Sequence, residues 1–97
     1  MLRITSQIAP DRFALKLEGW LTSAWVDELD TCWRAVTNSV GSRRICVDLS
    51  DVHYVDEAGR DLLTAMYRAG VRFVAKGCVM PELVREIEES GELVRRN

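Results

Sequence analysis

The chain has 97 residues, 47% of them hydrophobic and 29% charged, with a formal net charge of −2. That suffices for one domain around a single core; the near-neutral charge and the lack of a basic stripe argue against a nucleic-acid partner. No apolar run of about 20 residues is there to span a bilayer, and MLRITSQIAPDR has no secretory apolar core, so the expected location is cytoplasmic. Cys32, Cys46 and Cys78 are odd in number and widely spaced, which supports neither a disulfide framework nor a zinc site. Cys32 and Cys46 fall at apolar positions and read as small core residues; Cys78 reads as an inert thiol in a loop or strand end.

Leu2 to Ile8 alternates, with Leu2, Ile4, Ser6 and Ile8 on one face, and predicts a half-buried strand. Ala9-Pro10-Asp11 is a turn. Phe13, Leu15 and Leu17 predict an antiparallel partner strand that Gly19 ends. Thr22 or Ser23 can cap the next helix, whose buried face is expected to hold Trp25, Leu29, Cys32, Trp33, Val36 and Val40. Asn38 to Ser42 is the exit loop. The successive apolar residues of Ile45 to Leu49 suggest an interior strand covered on both faces.

Asp56 lies where a helix cap belongs, and Glu57 suits the positive end of the helix dipole. Leu62, Leu63, Met66 and Tyr67 form the apolar stripe of that helix, and Gly70 stops it. Val71, Phe73 and Ala75 mark a further strand. Pro81 opens a third helix with Leu83, Val84 and Ile87 inward and Glu82, Arg85, Glu86 and Glu89 outward; Gly91 stops it, before Leu93-Val94. The order β-β-α-β-α-β-α implies an α/β fold with a mixed sheet and a parallel core.

The segment ICVDLSDVHYVDEAGRDLL, Ile45 to Leu63, resembles the signature of the STAS family (sulfate transporter and anti-sigma factor antagonist domains). The family text there is close to D-L-S, a few residues, then D-S-(S/T/A)-G-L. Leu17-Glu18-Gly19-Trp20-Leu21, Gly70 to Val74 and Pro81 to Leu93 also resemble family segments. The resemblance covers roughly residues 13–94. It implies a single STAS-like domain over residues 1–97, a sheet of four to five strands with about three helices packed on it, C-terminally short relative to the family. It also implies that position 57 is where signalling members carry the phosphate-accepting Ser or Thr. Here it is Glu57, so no phospho-acceptor is expected at that place. Thr22 stands where many members carry Asp, and Trp20 where Glu is common.

Read without the family, Asp48, Ser50, Asp51, His53, Asp56 and Glu57 form a strand-to-helix loop rich in carboxylates. Turn and cap roles explain Asp48 and Asp56 better than a metal site does, and no metal or cofactor is expected. His53 has no Ser or Cys nucleophile placed beside it by motif, and no phosphate-cradling glycines occur, so no catalytic residue is assigned. The expected function is docking onto a protein through a face built from residues 19–22, 53–61 and Cys78 to Glu82. Its contact residues would be Trp20, Thr22, His53, Asp56, Glu57, Ala58, Gly59 and Arg60. The resemblance suggests as partner an anti-sigma factor of the serine-kinase-like type, or a transporter ATPase of lipid trafficking; nucleotide binding is a third, weaker reading. A fixed charge at Glu57 would either repel a partner that binds the uncharged acceptor or hold permanently one that offers an arginine. The sequence does not set the oligomeric state.

Overall fold

The computed structural model describes residues 1–41, 44–75 and 85–89. The two alternating segments form β1 (Leu2–Ile8) and β2 (Phe13–Leu21), paired antiparallel with Leu2 opposite Gly19 and Ile8 opposite Phe13. Ala9 and Arg12 exchange backbone hydrogen bonds of 2.9 and 3.4 Å around Pro10-Asp11, where the fixed φ of proline suits a tight turn. Next come α1 (Ala24–Val40), β3 (Ile45–Val55), α2 (Glu57–Arg68) and β4 (Arg72–Val74), and residues 85–89 are helical. The sheet runs β1-β2-β3-β4, with β3 parallel to both neighbours. This is the mixed sheet with a parallel core, and the element order, that the sequence predicts. Within the third helical segment Ile87 is buried while Arg85, Glu86 and Glu89 are exposed, as expected. Lys76 to Val84 and Ser90 to Asn97, with Cys78, Pro81, Leu83, Val84, Gly91 and Leu93-Val94, lie outside the described residues.

One core joins the sheet to the helices. Leu15, Leu17 and Leu21 of β2, Leu29 of α1, Leu63 and Met66 of α2 and Ile87 all belong to it. Among the described residues only one face of β3 is fully buried, which corrects the expectation of a doubly covered strand. Ile45, Val47 and Leu49 are buried, but Cys46, Asp48 and Ser50 between them are half-buried on the other side. The alternation with Asp48 and Ser50 is the physical reason, because charged and polar side chains are costly to enclose.

Beyond Leu49 the inward positions become Val52 and Val55, a step of three instead of two. Two register shifts cause this: Lys16 and Glu18 face Asp48 and Asp51, and Gly19 and Trp20 face Val52 and Tyr54. Each is a β-bulge that inserts one extra residue in β3, so its 11 residues run beside 9 of β2. Asp48 to Val55 is therefore strand, not the loop that broken alternation suggests, and β2 continues past Gly19 to Leu21.

Other assignments shift by small rotations. Val26 rather than Trp25 is the fully inward residue at the start of α1, with Trp25 packed at the margin of the core. Cys32 and Cys46 are half-buried rather than core. Val40 and Ile8 lie at element ends beyond the covering layer and are exposed. Trp33 is buried, and its indole N–H donates to Asp30 Oδ1 at 3.1 Å, so the polar edge of the ring is satisfied.

Candidate protein-binding site

The start of α2 is fixed by Asp56. Its Oδ1 accepts the N–H of Gly59 at 2.7 Å, the N-cap role read from the sequence. Its Oδ2 accepts the N–H of Ser23 at 2.9 Å, and its own N–H donates to the Leu21 carbonyl at 3.1 Å. The Ser23 and Gly59 N–H groups hold the Asp56 carboxyl below its ordinary value. Ser23 is the N-cap of α1, but its hydroxyl makes no capping bond and its φ is 44°, a conformation that L residues seldom adopt. One carboxylate thus ties together the starts of both helices.

Gly59 is buried, and a Cβ there would lie 2.8 Å from both the Leu21 carbonyl oxygen and Val55 Cγ1. Glycine lets α2 approach the ends of β2 and β3 this closely. Gly59 is thereby a packing residue and offers no surface.

The expected contact residues border two concavities. The first is an open groove of about 360 Å³ between α2 and residues 85–89, lined by Glu57, Arg60, Asp61, Thr64, Arg68 and Glu86, among others. Helical periodicity puts Glu57, Asp61, Thr64 and Arg68 on one stripe, opposite the buried Leu63 and Met66. Arg60 closes the groove wall with an ion pair to Glu86 at 3.2 Å. Ile87, 2% exposed, forms its apolar floor. The second is a shallower concavity of about 650 Å³ on the side of the sheet opposite the core, bordered by Arg3, Glu18, Trp20, Asp51 and His53. Trp20 is 56% and Tyr54 51% exposed, with ring centroids 6.1 Å apart at 59°.

The structure therefore brings Glu57 and Arg60 together and Trp20 and His53 together, but the two pairs border different concavities. Ala58 is exposed beside Glu57, and Thr22 is half-buried, its carbonyl accepting the Trp25 N–H at 2.9 Å. The carboxylates of Asp48 and Asp51 are engaged separately: Asp48 accepts the Ser50 N–H at 2.9 Å, and Asp51 pairs with Lys16 at 3.2 Å. Among the described residues no three His, Cys, Asp or Glu side chains gather as a metal site would need. Tyr54 and Asp61 fall inside the expected face 53–61 but were not among its named contact residues, and Arg68 and Glu86 lie outside that face. Counting forward from Glu57 in steps of three and four would have found Asp61 and Arg68; Tyr54 required knowledge of the bulges.

No protein-family model and no curated protein matches the sequence. Solved structures do match its fold. An anti-sigma factor antagonist from Mycobacterium paratuberculosis superposes with a TM-score of 0.74 at 21% identity, over 95% of this chain and 80% of that one. The fold is that of a STAS domain. An antisigma-factor antagonist STAS domain from Rhodobacter sphaeroides gives 0.55 at 19% identity, over 78% of this chain and 88% of that one. A protein of the DUF3478 family with a SpoIIAA-like fold, from Shewanella loihica PV-4, gives 0.60 at 12% identity over 92% and 79%. On this STAS fold Glu57 lies just past the carboxyl end of β3, where open α/β sheets place their binding sites, and the groove runs from it along α2 to Arg68. Among the described residues no helix is long and apolar enough to cross a membrane.

Proposed function

We propose that this chain is a non-enzymatic, cytoplasmic regulatory module of the anti-sigma factor antagonist type. It docks onto one constant protein partner through the start of α2, in a partner-switching circuit that controls transcription, without phosphorylation at position 57. The observation that carries this reading is Glu57 itself, exposed in the first turn of a helix whose start Asp56 holds in place. The resemblance puts the phosphate acceptor at that position. A carboxylate side chain at a helix start carries one negative charge where phosphoserine has about two. Asp61 lies one turn further on the same stripe and Arg68 at its far end. The groove thus suits a partner segment with an arginine or lysine near Glu57 and an acid near Arg68.

The test is a pull-down from the native cell with wild type and Glu57→Ser side by side, followed by affinity measurements on the purified partner. Glu57→Ser is expected to weaken binding by roughly tenfold or more, the worth of a charge-assisted contact. Unchanged affinity, with no phosphate taken up by Glu57→Ser from a cognate kinase, would sink the proposal. Recovery of a transporter ATPase would move the partner to the other class.

A further inference from the structure

The two edges of the sheet are built differently. β4 has three residues and carries the exposed Arg72; a short, charged edge resists pairing with another chain. β1 has seven residues, regularly paired with β2 from Leu2 to Ile8 without a register shift. Among the described residues no strand lies on its outer side. It contains no proline, its one charge is Arg3, and Ile8 at its end is 84% exposed. Among the described residues, none of the usual devices that blunt an edge is present along most of its length.

We propose that β1 pairs antiparallel with β1 of a second copy of this chain. The register that engages all seven residues centres on Thr5. It sets Leu2 opposite Ile8 of the second copy, Arg3 opposite Gln7, Ile4 opposite Ser6, and Thr5 opposite itself. No like charges meet, both ends pair apolar residues, and Ile8 gains a neighbour. The four-stranded sheet becomes a continuous eight-stranded one about a two-fold axis. The Glu57 groove is lined by α2 and residues 85–89, not by β1, so this pairing is independent of the partner proposed above.

Thr5 is exposed, so its side chain can change without disturbing the core. Sedimentation or light scattering is run on the whole chain up to about 200 µM, the range in which a small interface associates. Wild type is expected at twice the 11.0 kDa chain mass. Thr5→Lys alone and Thr5→Glu alone place like charges opposite each other and are expected to be monomeric with unchanged circular dichroism. An equimolar mixture of the two is expected to restore the dimer. A wild type that stays monomeric overturns the proposal and leaves the edge to a strand from a different protein. Single variants that remain fully dimeric overturn it as well, because the contact would then lie elsewhere.

Discussion

The carboxylate of Asp56 accepts the backbone N–H of Ser23, 33 positions earlier in the chain, at 2.9 Å, and that of Gly59 at 2.7 Å. Removing it leaves two donors at two helix starts without their partner. Asp56→Ala is expected to lower Tm by roughly 4–8 °C, the usual scale for a lost cap in a domain of this size. Hydrogen exchange should quicken at both Ser23 and Gly59; protection lost at Gly59 alone would show that the bond to Ser23 contributes nothing.

The same carboxyl sets a pH dependence. Its folded-state pKa is below the ordinary 3.8. A depressed carboxyl stabilises the fold above the unfolded value, and that stabilisation is lost as pH falls through the folded value. Acid titration of Tm should therefore show a decline beginning near pH 4 that is shallower in Asp56→Asn. Parallel curves would assign acid unfolding to other groups.

Gly59→Ala tests the close approach of α2. Its Cβ would stand 2.8 Å from the Leu21 carbonyl oxygen, a backbone atom that cannot swing away. The helix must shift, at a cost of about 1–3 kcal/mol, measurable by urea unfolding. A loss below about 0.5 kcal/mol, the range of neutral surface changes, would mean that α2 slides freely at this point.

Trp20→Ala should separate binding from folding. The ring is more exposed than buried and its aromatic contact is Tyr54. Loss of that pair costs about 0.5–1.5 kcal/mol. If the sheet face opposite the core engages a partner, affinity falls further than stability does. A lower Tm with unchanged affinity in the folded fraction would confine Trp20 to packing.

Cys32 is half-buried, and burial, with Glu28 nearby, pushes its thiol pKa up. Less thiolate forms at pH 8, and the thiolate is the species that reacts. Alkylation of Cys32, followed by mass spectrometry, is expected to be several-fold slower in the folded chain than in urea. Equal rates would show that the surroundings impose no such shift.

Much of this molecule was legible before its coordinates. The Leu15-Leu17 alternation, the Leu63-Met66 stripe and the cap at Asp56 each follow a local period or turn rule, and each is where it was expected. What failed did so where periodicity is interrupted. The two bulges turn Ser50 to Tyr54 into a pattern that reads as loop, although it is paired strand. Trp20 consequently points away from Leu21 and stands beside Tyr54, and the single face expected around Glu57 divides into two. Which side of a strand a residue occupies after a bulge depends on its neighbour strand, and no local rule supplies that.

The bulges also make the chain unequally tolerant of deletions. Loss of Asp51 would bring Val52 two places after Leu49, and loss of His53 would bring Val55 two places after Val52, so the same side chains would still point inward. A residue lost from the middle of β2, such as Lys16, would turn every following side chain to the opposite side. The slack in this β2–β3 pair is held in β3, just ahead of Asp56. There the backbone can shorten while the interior keeps its contents, and what changes is how far the strand curls toward the two helix starts.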